Sequence, residues 1–354
     1  MDETVIPMAE FKRRERKKSR FNRTSTTTIM ATAFPPIRWI VEGYVPEGLS
    51  VLAGRQKLGK TWLALDWAIA VACGGIAMGS IECEQGDVLY IDLENGQRRI
   101  KSRIEILFPD ERLLPDLSRL DWVNKAPALN KGFIDAIDDW RMSAVSPRLV
   151  IIDVLQRVKP PGNANQTSYE SDYASLAELQ RWATEHRVAV VALHHTRKGG
   201  ADDPLEALSG SNGLSACADT TLVLNRDANG TTLYVRGRDV EEKETAMNFT
   251  GGNWTVVGEA SDVRRSGERG AILDVLRAST DPMSPADVAG ALGKSSGAVK
   301  KMMFTMAKAG EIERLSRGRY RASKAGNLGN HGNQVEKHIQ NQFHNGLQKG
   351  YRDE

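Results

Sequence analysis

Gly54-Arg55-Gln56-Lys57-Leu58-Gly59-Lys60-Thr61 reads G-x-x-x-x-G-K-T, a spacing suited to gripping phosphate. The glycines let successive backbone N–H groups turn toward phosphate oxygens. The lysine reaches the terminal phosphates, and the hydroxyl beside it ligates a divalent cation. Before it runs a short apolar stretch, Ser50-Val51-Leu52-Ala53. After it comes a helix-period stretch that begins at Trp62 and continues through Leu63, Leu65, Trp67, Ala68 and Ile69. Strand, glycine loop and helix in that order supply the context the loop needs, because a helix N-terminus attracts an anion. A plain structural turn is the competing reading, and the flanks argue against it. Residues 54 to 62 are therefore expected to bind a nucleoside triphosphate, with ATP as the first choice and Mg²⁺ on Thr61.

Other residues fit the chemistry of cleaving that triphosphate. Leu149-Val150-Ile151-Ile152-Asp153 is an apolar strand ending in an acid, a place from which a carboxylate supports Mg²⁺. In Val88-Leu89-Tyr90-Ile91-Asp92-Leu93-Glu94-Asn95 the period of two puts Asp92 and Glu94 on one face. Glu94 falls at the carboxyl end, where open α/β sheets bind ligands, so it can orient and deprotonate the attacking water. Asp92 lies deeper and reads as structural. A plain helix-start acid is the alternative for Glu94.

Val188 to Leu193 is a buried strand that turns polar at His194-His195-Thr196-Arg197-Lys198-Gly199-Gly200. Two histidines at a strand end suit a sensor of the γ-phosphate, His195 ahead of His194, although a core histidine is the plainer reading. Two long polar segments leave the same end of the sheet, one carrying Arg157 and Lys159 and the other Arg197 and Lys198. Their basic residues, glycines and amides suit a single-stranded nucleic-acid backbone, and a surface loop without a ligand is the alternative. Arg236-Gly237-Arg238 ends a later strand. It reads either as a surface pair or as an arginine finger offered to a neighbouring subunit.

These residues need a sheet to hold them. Apolar runs at 50–54, 87–93, 120–124, 148–153 and 188–194 alternate with helix-length segments, the pattern of a parallel sheet covered on both faces. Runs at 220–225, 231–237 and 254–257 follow closely, with turns at Asn229-Gly230 and Gly251-Gly252, and read as antiparallel additions at one edge. The expected organisation is a basic arm at 1–33, an α/β domain at 34–257, a linker at 258–267, a small domain at 268–324 and a polar tail at 325–354. In the small domain Ser284 caps a helix, Ser295 or Ser296 caps another that exposes Lys300 and Lys301, and 310–321 alternates like a hairpin. That order is a winged helix-turn-helix, with Lys300 and Lys301 placed to enter a DNA groove or with the unit docking a protein.

Composition limits the rest. The chain has 354 residues, 40% hydrophobic and 26% charged, enough for two globular domains. No apolar run is long enough to span a bilayer, and the start lacks a cationic and apolar leader, so a cytoplasmic protein without membrane contact is expected. Cys73, Cys83 and Cys217 lie far apart and fit no metal spacing. Net charge is only +3, yet Lys12 to Arg23 concentrates eight cations against Glu15. Such a block is a solvated arm, or holds nucleic-acid phosphates.

Gly54–Thr61, the Tyr90–Glu94 strand, Asp153, His194-His195-Thr196-Arg197-Lys198-Gly199 and Arg236-Gly237-Arg238 together resemble the RecA-fold P-loop ATPases. Within them, residues 35 to 257 look most like the RepA-type hexameric replicative helicases of plasmids and phages. The resemblance implies a RecA-like, mostly parallel sheet and a ring of six copies, with ATP between neighbours and single-stranded DNA in the central hole. A replication initiator or primase is the implied partner. By similarity, Lys60 and Thr61 bind phosphate and Mg²⁺, Glu94 activates water, Asp153 supports the metal and His195 senses the γ-phosphate. There are departures. The plasmid helicases carry an arginine on the strand corresponding to about 220–224, where this chain has none and Arg226 follows, and Arg236 and Arg238 look more like the finger spacing of DnaB-type and phage ring helicases. The simplest plasmid members also lack the winged helix. The activity implied is an ATP-hydrolysing DNA helicase or translocase. A DNA-stimulated ATPase that loads or remodels partners is the first alternative, and an ATP-gated winged-helix regulator is the second.

Overall fold

A computed structural model describes residues 23–160, 168–196, 212–227 and 230–323. A short helix, α1 (Thr26–Ala31), buries no side chain. The hairpin β1 (Trp39–Val41) and β2 (Val45–Pro46) leads into β3 (Gly48–Gly54), buried along its whole length. The glycine loop follows, then α2 (Lys60–Cys73) and the small hairpin β4 (Ile76–Ala77) and β5 (Ile81–Glu82). Next come β6 (Asp87–Asp92), α3 (Gln97–Leu107), β7 (Leu120–Val123), α4 (Ile134–Ser143) and β8 (Pro147–Asp153). After these come α5 (Ser168–His186), β9 (Ala189–His195), α6 (Asn212–Cys217), β10 (Thr220–Asp227) and β11 (Gly230–Gly237). The large sheet is completed by β12 (Lys243–Thr250) and β13 (Asn253–Glu259).

Nine strands form one sheet in the order β13-β12-β11-β10-β3-β9-β8-β6-β7. The six from β10 to β7 are parallel, and β11, β12 and β13 continue antiparallel. This is the mostly parallel α/β sheet expected, with one correction. Thr220–Asn225 is not an antiparallel edge strand: β10 pairs parallel with β3 in the sheet interior. Helix α6 carries the chain from β9 across to β10, and a strand–helix–strand crossover of that kind returns parallel. Lys243–Thr250, too polar to be read as a strand, pairs β11 with β13.

Alternation sorts the strand side chains onto two cores. Leu52, Val88, Tyr90, Leu149, Ile151, Val191 and Leu193 face α2. Leu49, Val51, Leu89, Ile91, Val150, Ile152, Val190 and Ala192 face α4, α5 and α6. Helices on both faces explain why these strands are apolar throughout rather than alternating.

The antiparallel strands curl over α2. Trp254 on β13 is fully buried, and its indole N–H donates to the Gly59 carbonyl at 3.1 Å. Gly59 has φ of 99°, and a Cβ there would lie 2.8 Å from the Trp254 ring. A side chain at 59 would therefore meet both backbone strain and the indole.

The expected linker is mostly helix. Residues from Ala260 run without a break in α7 (Ala260–Ala278), which contacts both β12 and β13. Then come α8 (Pro285–Leu292), α9 (Ser296–Lys308) and the hairpin β14 (Ile312–Ser316) and β15 (Arg319–Ala322). Ser284 and Asp287 form a capping box on α8, and Gly293 ends it in the left-handed region. Ile272, Leu276, Val288, Val299, Met303, Met306, Ile312 and Tyr320 make a separate core.

Trp254→Ala is expected to lower the unfolding free energy by about 3–5 kcal/mol, read as a lower urea midpoint. An unchanged midpoint would show that β13 does not support the loop.

Candidate active site

The glycine loop leaves the carboxyl end of β3, near the middle of the sheet. Gly54 has φ of 156°, and a Cβ there would press within 2.5 Å of the Leu224 carbonyl on β10. The loop therefore starts with its backbone held tightly against the neighbouring strand. Lys57 also takes a positive φ, 61°. The loop closes on the N-terminus of α2, whose first residue is Lys60.

Lys60 is 4% exposed. Its ammonium donates to the Gly54 carbonyl at 2.7 Å and the Arg55 carbonyl at 2.9 Å, and lies 3.0 Å from His195 Nδ1. Burial pulls its pKa down to about 8, against the Asp153 and Glu94 carboxylates, which raise it. A cation held this far out of water attracts an anion more strongly than a surface lysine does.

His195 follows Leu193 in parity and faces α2, whereas His194 faces the opposite core. Burial lowers the His195 pKa, and Lys60 adds to the effect. The ammonium can only donate, so Nδ1 accepts and the ring proton sits on Nε2. That nitrogen lies 3.8 Å from Glu94 Oε1. Glu94 stands at the mouth, its side chain 38% exposed, two residues beyond the end of β6.

Asp153 and Asp92 pair in register across β8 and β6. Both are buried and they have different partners. Asp92 accepts the backbone N–H of Glu94 and Asn95 and both oxygens contact the Asn95 amide. It braces the turn that presents Glu94. Asp153 accepts the Tyr90 hydroxyl at 3.2 Å and a hydrogen bond from Thr61. Burial raises its pKa to about 6, and the nearby Asp92 and Glu94 carboxylates push the same way, against the hydrogen bonds from Thr61 and Tyr90.

No cluster of three or more His, Cys, Asp or Glu side chains among the described residues could hold a metal ion. A cage made by the protein alone is thereby excluded for those residues. A Thr61 hydroxyl beside an Asp153 carboxylate, with phosphate oxygens completing the shell, fits Mg²⁺, which keeps few protein ligands and takes oxygen donors.

The crevice over the loop encloses about 360 Å³ and is lined by Lys57 to Trp62, Arg103, His195, Arg226 and Phe249. Three of these were not legible as site residues. Arg103 on α3 lies over the Trp62 ring at 5.6 Å, Phe249 tilts against Trp62 at 6.3 Å, and Arg226 on β10 donates to the Thr231 hydroxyl at 3.0 Å. The available signal for Arg226 was its position two residues beyond Leu224, which is in register with Gly54.

The remaining expected residues lie elsewhere. Arg238 pairs with Asp219 at 3.0 Å, and Arg236 lies 3.8 Å from Glu242. Asp219 in turn accepts the Leu49 N–H at the start of β3. Arg238 is therefore at the amino end of the sheet, roughly 15 Å of strand below the loop, and Arg236, level with Val51 through Thr221, is about 10 Å below it. Arg157 is exposed on the turn after β8, and Lys159 is half-buried beside it. Arg197 and Lys198 lie outside the described residues. Lys300 and Lys301 are exposed on α9, far along the chain from the crevice.

A family model described as an AAA domain matches residues 15–201, more than half of the chain. A solved ATPase domain is 20% identical, with a TM-score of 0.46, over 59% of this chain and 84% of that one. A DnaB-like replicative helicase, in a structure describing its interactions with primase, is 19% identical, with a TM-score of 0.47, over 60% of this chain and 58% of that one. With its phosphate loop, buried lysine and strand-end acids inside the matched span, the chain belongs to the AAA domain family.

Proposed function

We propose that the protein is an ATP-hydrolysing DNA helicase or translocase that works as a ring of copies on single-stranded DNA, in the replication of a plasmid, phage or mobile element. One observation carries the reading: Lys60, His195 and Glu94 make a continuous polar line over the loop, while Arg238 sits at the other end of the sheet and Arg236 partway down it. Each copy holds a triphosphate grip at one end and an arginine out of reach at the other. A neighbouring copy brings the two together.

The chemistry follows from the side chains. The loop amides and Lys60 hold the β- and γ-phosphates, displacing the carbonyls that hold the ammonium in the free site. Glu94 takes a proton from the attacking water in line with the γ-phosphate. Thr61 and Asp153 would hold Mg²⁺, which would supply neutralisation of charge on the phosphate oxygens. His195 touches Lys60 through one nitrogen and faces Glu94 with the other. When Lys60 moves to phosphate, His195 loses that partner, and the change passes down the segment beyond β9 that carries Arg197 and Lys198. The flat wall of Trp62, Arg103 and Phe249 suits a base. Arg157 and Lys159 supply cations for a single strand at the same sheet end, and Arg197 and Lys198 follow β9 in the sequence. The unit from α7 to β15 reads as a winged helix with Lys300 and Lys301 outward, able to hold duplex DNA or a protein.

Glu94→Gln is expected to bind ATP like the parent and to lose turnover by about 10²-fold or more, measured as phosphate release with and without single-stranded DNA. Turnover at the parental rate would remove Glu94 from the mechanism. DNA stimulation without displacement of a forked duplex would favour the loader or remodeller over the helicase.

Arg238→Ala and Lys60→Ala are each expected to abolish turnover, by about 10³-fold for the arginine. Mixed together they should recover activity, because one copy's Lys60 then meets the other copy's Arg238. A mixture as inactive as its components would rule out a finger supplied across a subunit boundary.

A further inference from the structure

Tyr90 is fully buried in the middle of β6. Its ring stacks on Trp122 of β7, centroids 4.6 Å apart and planes 24° from parallel, and the two residues are in register. Strands β7 and β8 flank it on either side, so the ring has no freedom to swing. Its hydroxyl donates to Asp153 Oδ2 at 3.2 Å. The neighbouring acid, Asp92, is already occupied by Asn95 and by two backbone amides.

A carboxylate turns easily about its last side-chain bond, because that torsion is broad and two-fold. Asp153 is 1% exposed, so water does not hold it in place. Its contacts are the Thr61 hydroxyl above and the Tyr90 hydroxyl below. A donor fixed by aromatic stacking occupies one oxygen and leaves the remaining acceptor capacity aimed at the loop. A buried phenol must find an acceptor, and here that acceptor is the Asp153 carboxylate.

We propose that Tyr90 is a positioning residue for divalent-metal binding: it fixes the rotation of Asp153 and so sets how tightly a nucleotide-loaded crevice holds Mg²⁺. The proposal rests on the ATP–Mg²⁺ reading of the site. Tyr90 touches neither nucleotide nor metal and acts only through Asp153.

Tyr90→Phe keeps the ring, its stack and the strand pairing, and removes one hydroxyl. The full chain is titrated with ATP by calorimetry, first in EDTA and then at rising Mg²⁺. The variant is expected to match the parent's metal-free affinity within about twofold. The Mg²⁺ concentration giving half of the metal-dependent gain should rise about tenfold, the effect of losing one buried hydrogen bond. Trp122→Leu, which keeps the hydroxyl and loosens the ring, should shift the Mg²⁺ curve the same way by less. A Tyr90→Phe curve that overlays the parent's overturns the proposal. So does a variant whose metal-free affinity falls as far as its Mg²⁺-dependent part, since Tyr90 would then only pack the core. A parent whose ATP affinity ignores Mg²⁺ instead overturns the reading of the site itself.

Discussion

A lysine ammonium taken out of water is the constraint around which this molecule is arranged. Lys60 is 4% exposed, and an unpaired cation at that depth would be costly. The backbone supplies the compensation. Gly54 and Arg55 turn their carbonyls onto the ammonium, in a loop with left-handed backbone at Lys57 and Gly59. The loop in turn needs a rigid floor. That floor comes from β3 beneath, β10 against Gly54, and the Trp254 indole against Gly59. On the proposed reading, phosphate oxygens would take the place of these carbonyls with full negative charge.

Side-chain parity does the next part of the work. Tyr90, Asp92, Ile151, Asp153, Leu193 and His195 all fall on the α2 side of the sheet because they share the strand period. One residue's slip in β9 would exchange His195 for His194 and carry the polar line to the opposite core. Register is thus a chemical specification as well as a packing one. Both faces of these strands are buried and apolar, so it is the polar residues at the strand ends that a slip by one would misplace.

What could be read in advance follows the same logic. The glycine loop, Glu94, Asp153 and His195 were legible because each sits at a strand end whose apolar run announces it. The parallel placement of β10 was hidden, since closely spaced strands suggest hairpins and the six-residue α6 that makes the crossover leaves little periodic trace. Strand β12 was hidden by its lysine, glutamate, threonines and asparagine, tolerable because one of its faces is solvated. Trp254, Arg103, Phe249 and Arg226 were hidden for another reason. They come from different elements, and only folding gathers them over the loop. The polar stretch at 258–267 misled because charge and glycine also suit an exposed helix face, and α7 pairs Arg264 with Glu244 on β12 and Arg265 with Asp262.

That helix bears on how the two halves of the chain share load. Strand β13 ends at Glu259 and α7 begins at Ala260, so no slack separates the sheet edge from the C-terminal core. The edge strand that carries α7 also carries Trp254, and Trp254 bonds the carbonyl of the glycine on which the phosphate loop turns. Strand β13 is therefore joined to the C-terminal unit through α7 without an intervening loop. A strand at the free edge of a sheet has one neighbour rather than two and is the strand most easily displaced. The loop thus leans on the part of the sheet most exposed to whatever α7, α8 and α9 engage.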